Sequence, residues 1–298
     1  MSTEPDYEES IVVNVGDWVE RAKTDPVAYL ERQATELFLA TLATIEPYRT
    51  STFLKGGILM GVVYESHRQT GDIDLTTILE PKQGVAEEFT QALNDAFPHV
   101  SAEIGYPDLM CRVQSHKYFP RGEAFPKNDG PAIKLGIGYA KRGSNQERLF
   151  HLGRSPDKLE VDISFREPIC AVRIIKMAPD EYLFRAYSLS DLIAEKIRAL
   201  LQQESRNRYR RQDFYDLSIL INQSTFNDPE RKQVYETLLK KCHARDIEPT
   251  RSSLTQPEVR RRAERDWNTM RLEIGDLPMF DMCFAVVVTF YESLPWPD

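Results

Sequence analysis

Two spacings of apolar residues run along this chain, and one gives way to the other near Pro179. Before that point, alternation dominates. Asp72 to Leu79 places Ile73 and Leu75 on one face with Asp72 and Asp74 on the other. Leu159, Val161, Ile163 and Phe165 likewise share a face, opposite Glu160, Asp162 and Ser164. Thr52 to Leu54, Met110 to Tyr118 and Ala132 to Tyr139 also read as strands, separated by loops rich in Gly, Pro and Asn. Helical spacing appears from Pro26 to Ile45, capped by Asp25, and again over Ile58 to Glu65 and Gly84 to Phe97. Beyond Pro179 the pattern predicts helices only. One starts at Ser188, capped as Ser188-x-x-Asp191, and others cover Gln212 to Ile221, Pro229 to His243, Pro257 to Met270 and Phe280 to Leu294. The expected division is an α/β core over residues 1–179 and a helical C-terminal domain over 180–298, with the ligand cleft between them.

Composition narrows the class. The chain has 298 residues, 41% hydrophobic and 28% charged, as in an ordinary globular protein. Cys111, Cys170, Cys242 and Cys283 lie far apart and suggest neither a zinc site nor a disulfide framework, which favours a reducing cytoplasm. The acidic, polar N-terminus is the opposite of a signal peptide, and the most apolar run, Met282 to Tyr291, is too short to span a bilayer. A net charge of −8 argues against broad nucleic-acid binding. Two basic clusters survive that average. Arg206, Arg208, Arg210 and Arg211 interleave with Tyr209, where a phosphate-contacting role and a plain solvated face weigh about equally. Arg260, Arg261, Arg262 and Arg265 read rather as a solvated helix face.

The candidate chemistry lies between Lys55 and Asp74. Gly56 and Gly57 let the backbone approach a phosphate without an intervening side chain. Asp72 and Asp74 converge on one strand face, and a hard divalent cation suits such a pair because it takes oxygen ligands and bridges to phosphates. Lys55 is a cation at the end of the preceding strand. Each element alone is common in turns and strand edges; their order carries the inference. Further on, Lys196 shares a helix face with Leu189, Leu192, Ile193 and Leu200, so its ammonium either reaches the helix edge or meets a buried anion. Asp213 and Asp216 share a face of the next helix, Asp213 in position to orient Lys196, another basic residue or the attacking hydroxyl, and Asp216 with a structural place. The five histidines form no spaced constellation.

Phe53-Leu54-Lys55-Gly56-Gly57 with Asp72-Ile73-Asp74-Leu75 resembles the first motif of the AbiEii/AbiGii-type nucleotidyltransferase toxins. Ser188 to Leu200 and Arg211-Gln212-Asp213-Phe214-Tyr215-Asp216-Leu217 are similar to the later motifs of that family. The resemblance implies an α+β fold, a minimal nucleotidyltransferase core related to DNA polymerase β with a mixed sheet, followed by the helical domain. It implies a third carboxylate at Asp162, with Glu160 as the alternative because strand register is not fixed by sequence. Asp72, Asp74 and Asp162 would then hold Mg²⁺ or Mn²⁺. Lys55, Gly56, Gly57, Arg68 and Lys196 would bind an NTP, with Lys196 and Asp213 part of the catalytic group. The implied activity is transfer of an NMP unit to a hydroxyl, releasing pyrophosphate, in the toxin of a toxin–antitoxin or phage-defence pair. The implied partners are a cognate antitoxin and an RNA acceptor such as a tRNA 3′ end. The family usually follows its glycine pair with hydroxyl residues; Ile58 and Leu59 stand there instead, so the backbone N–H groups of Gly56 and Gly57 would have to do more of the holding. A small-molecule nucleotidyltransferase of the antibiotic-modifying kind and a non-catalytic nucleotide-binding module are the competing readings.

Overall fold

A computed structural model describes residues 5–66, 71–179 and 182–297. Eight strands form one mixed sheet: β1 (Asp6–Asn14), β2 (Thr52–Lys55), β3 (Asp72–Thr77), β4 (Leu109–Phe119), β5 (Ala132–Lys141), β6 (Lys158–Phe165), β7 (Ala171–Ala178) and β8 (Tyr182–Tyr187). Their order across the sheet is β1-β7-β8-β2-β3-β6-β5-β4. The pairs β1–β7, β2–β8 and β3–β6 are parallel and the others antiparallel.

The helices that follow or interrupt the strands are α1 (Val15–Glu20), α2 (Pro26–Leu42), α3 (Tyr48–Ser51), α4 (Gly56–Val63), α5 (Val85–Glu103) and α6 (Glu147–His151). The C-terminal set is α7 (Leu189–Leu201), α8 (Arg211–Asn222), α9 (Asp228–His243), α10 (Pro257–Glu264), α11 (Arg271–Ile274) and α12 (Phe280–Glu292). Two of these starts bear on the site. Asp25 caps α2 by accepting from the Val27 and Ala28 amides, with Pro26 in the first turn. Ser188 caps α7 by accepting from the Asp191 amide. Asp191 does not reciprocate as in a capping box. Its carboxylate accepts from the Cys170 and Ala171 amides at 2.9 and 2.5 Å, tying the start of α7 to the start of β7. Among the described residues no helix is long and apolar enough to cross a membrane.

Several expectations are corrected. Helices do not follow Pro179 directly, because β8 comes first and pairs between β7 and β2. The strands β1 and β7 had no sequence reading. The helix from Gly84 does not stop at Phe97 but continues through Pro98 to Glu103, where Val100 is buried in the core. Pro257 to Met270 is not one helix. Asp266 takes a left-handed φ of 58°, dividing α10 from a 3₁₀ turn at Trp267–Met270.

Candidate active site

Strand register assembles the charged residues. In β3 and β6, Asp72 stands opposite Glu160 and Asp74 opposite Asp162, so all four carboxylates share one face of the sheet. The apolar partners Ile73, Leu75, Val161 and Ile163 are buried on the other. On the outer sides of this pair, Lys55 of β2 is in register with Asp74, and Lys134 of β5 with Asp162. A single row across four strands therefore reads Lys55, Asp74, Asp162, Lys134: two carboxylates between two lysines. Lys134 Nζ lies 3.6 Å from Asp162 and 3.7 Å from Glu160.

Burial above all raises the Asp74 carboxyl above its ordinary value of 3.8. Lys55 and Lys196 draw it back, while Asp162 and Asp72 push it further up. Asp162 is raised for the same leading reason, opposed by Lys134 and reinforced by Asp72 and Glu160. Two partly buried carboxylates that repel each other offer hard oxygen donors to a cation such as Mg²⁺ or Mn²⁺, so this donor set fits one. Among the described residues no three His, Cys, Asp or Glu side chains stand close enough to enclose an ion by themselves.

Gly56 packs directly against this row. Its φ is +69°, and a Cβ there would lie 2.1 Å from Asp74 Oδ2. Gly56 is thus required by the carboxylate beside it as well as by any phosphate. Ile58 and Leu59, where the family usually carries hydroxyls, are buried in the core.

The row opens onto a cleft of about 980 Å³. Lys55, Asp72 and Asp74 line it from the sheet and Gly56 and Gly57 from the start of α4, while Lys196, Arg198 and Asp213 line it from α7 and α8 and Arg206, Arg208 and Arg210 from the loop between them. Lys196 meets buried anions: its ammonium donates to Asp216 Oδ2 at 2.6 Å and to Asp213 Oδ1 at 3.1 Å. Asp216 is fully buried, and Asp213 also has Arg210 at 3.7 Å. Asp162 adjoins the cleft through its partner Asp74 and is not among the lining side chains. Arg68 lies outside the described residues.

Sequence reasoning missed a second layer of charge. Glu167, in the loop after β6, accepts from the Lys55 ammonium and from Thr76 Oγ1 at 3.1 Å, with Arg245 at 3.6 Å. The Lys55 ammonium is therefore engaged by protein. Burial, the largest single influence, would lower its pKa, but Glu167, Tyr187 and Glu195 together outweigh burial and raise it. Glu195 pairs with Arg198 and stands 3.5 Å from Lys241, which also contacts Asp191 at 2.7 Å and donates to the Pro168 carbonyl at 2.8 Å. Burial opposes the Glu195 charge, yet Lys241 and Arg198 hold its carboxyl well below the usual range. Burial pushes the neighbouring Tyr187 phenol up to about 12. For Lys134 the alternation of its strand supplied a usable signal. Loop residues such as Glu167 and Arg245 carry none.

The family profile described as nucleotidyl transferase AbiEii toxin of a type IV toxin–antitoxin system matches residues 37–286. MenT4, a nucleotidyltransferase toxin from Mycobacterium tuberculosis H37Rv, shares the fold with a TM-score of 0.56 and 15% identity, covering 96% of this chain and 91% of its own. JHP933 from Helicobacter pylori aligns at a TM-score of 0.48 and 12% identity, over 87% and 88% of the two chains. No curated protein matches. With an ordered match over most of its length, the chain belongs to the AbiEii family of nucleotidyltransferase toxins of type IV toxin–antitoxin systems.

Proposed function

We propose that this toxin moves an NMP unit from an NTP to a hydroxyl on RNA, such as a tRNA 3′ end, in a reaction that depends on Mg²⁺ or Mn²⁺. The observation that carries this reading is the carboxylate row, with Asp74 against Gly56 and in register with Asp162. Asp72, Asp74 and Asp162 would hold the metal, which would neutralise charge on the transferring phosphoryl group. The amides at Gly56 and Gly57 and the Lys196 ammonium would receive the triphosphate, with Arg68 as a further candidate. Asp213 and Asp216 accept from Lys196 Nζ and so fix where it points. Lys55, engaged by Glu167, acts on the site through its field on Asp74 rather than as a free phosphate ligand.

In this reading residues 1–179 form the nucleotidyltransferase core, with β8 completing its sheet, and the helices from Ser188 close the nucleotide cleft. A cognate antitoxin, a cytoplasmic setting and a part in phage defence belong to the same proposal. Exposed arginines at the cleft favour RNA over a small-molecule acceptor, because the cleft acids Glu167 and Glu195 are already paired with cations. The retained Asp72 and Asp74 count against a non-catalytic module. Incubating the purified protein with each labelled NTP and total RNA tests the proposal: labelled RNA is expected, and labelling of small molecules alone would support the competing enzyme.

A further inference from the structure

The loop joining α7 to α8, residues 202–210, carries charge and aromatic surface that the nucleotide site does not use. Arg206, Arg208 and Tyr209 all line the cleft. Among the described residues neither Arg206 nor Arg208 enters an ion pair, whereas Arg210 faces Asp213 at 3.7 Å. Tyr209 is 40% exposed, so its ring keeps apolar surface open at the cleft. Its ring lies 4.4 Å from the Arg265 guanidinium and 5.6 Å from that of Arg262, and Arg265 donates to its hydroxyl.

The loop backbone is held, although its side chains are exposed. Gln203, buried, donates to the Val259 carbonyl at 2.8 Å, and the Arg208 amide donates to the Gln203 carbonyl at 2.7 Å. Arg262 donates to the Arg208 carbonyl at 3.4 Å. So α10 braces the loop, and the second basic cluster acts partly as its support rather than as a solvated face. A pinned loop that presents two cations without ion pairs and an exposed aromatic ring to one cleft is preorganised for a flexible anionic chain with flat bases. The cleft is also roomy. Its volume of about 980 Å³ is at the upper end of single-ligand pockets, roughly 300–1,000 Å³, leaving space beside a nucleotide for the end of another chain.

We infer that this loop grips the acceptor as a single strand, with Arg206 and Arg208 on its phosphates and one base stacked on Tyr209. This rests on the reading of the acceptor as RNA, and goes beyond it in naming the strand form and the residues. A paired, blunt end offers no unstacked base to Tyr209 and should bind less well.

The test uses fluorescence anisotropy with the full chain and a fluorescein-labelled oligoribonucleotide of about 12 residues, alone and in a blunt duplex. The single strand should bind more tightly. Tyr209→Ala should weaken it roughly tenfold, while Tyr209→Phe and Tyr209→Trp stay near wild type. Arg206→Ala and Arg208→Ala should each flatten the salt dependence of log K by about 0.7. NTP affinity, measured by calorimetry, should not follow these changes. Equal binding by Tyr209→Ala overturns the inference. So does a loss in Tyr209→Phe as large as in Tyr209→Ala, which would make the hydroxyl bond to Arg265 the only role. Arginine variants that lose NTP or a co-purifying antitoxin, and not RNA, assign the loop elsewhere and equally overturn it. Failure of the wild type to transfer NMP to RNA, with strand binding intact, would defeat the functional reading and leave the grip standing.

Discussion

Gly56 shows how tightly a residue can be constrained by its neighbour. Its left-handed φ and the 2.1 Å approach of a would-be Cβ to Asp74 exclude any side chain without movement of the carboxylate. Gly56→Ala should lower stability by roughly 1–3 kcal/mol and reduce transfer out of proportion, because it displaces Asp74. Thermal melts and transfer rates measured together check this, and a variant as active as wild type would refute the geometry. Lys196 poses a different question. Lys196→Ala strips two carboxylates, Asp213 and the fully buried Asp216, of their shared cation, a change worth roughly 3–5 kcal/mol where a buried pair is broken. NTP affinity should fall as well, and a lower melting temperature with unchanged NTP affinity would make Lys196 purely structural. At this scale the sequence exposed Asp72, Asp74, Lys196 and Asp213, because alternation and helix spacing point side chains in known directions. It left Lys134 unassigned, since its role depends on which strand β5 pairs with. Asp216, which helix spacing marks only as structural, makes the shorter bond to Lys196.

Between elements, a buried ionic layer joins the sheet to the helices. Asp191 and Glu195 of α7 meet Lys241 of α9, and Asp191 also caps the first amides of β7. The Glu195 carboxyl is lower in the folded chain than its ordinary 4.5, so its contribution is full above pH 4.5 and is lost as pH falls below that toward the folded pKa. Glu195→Gln should therefore cost stability at neutral pH and remove part of the acid-induced loss. Urea titrations at pH 7 and pH 4 measure both, and an unchanged pH dependence would reject the assignment. Strand legibility also divides at this scale. The strands β3, β5 and β6 announced themselves through alternation. The strand β1 is a largely polar edge whose partner β7 lies more than 150 residues away, and non-local pairing leaves no local trace. The strand β8 is short and half-exposed, and it directly precedes a well-capped helix.

The whole molecule carries a net charge of −8, yet Arg206 and Arg208, which enter no ion pair among the described residues, line the cleft beside a carboxylate row. That row is under mutual repulsion at neutral pH, so adding Mg²⁺ or Mn²⁺ should raise the melting temperature. At a concentration a hundredfold above Kd the gain is about 2.7 kcal/mol. The Asp74→Ala protein should show no comparable gain, and an equal gain in both would place the ion elsewhere. The account stands or falls most directly on transfer itself. Wild-type protein, each α-labelled NTP, divalent cation and total RNA should yield labelled RNA, and Asp74→Ala, folded to the same melting curve, should lower that yield roughly a thousandfold or more. Undiminished labelling by Asp74→Ala would contradict the mechanism proposed for the carboxylate row.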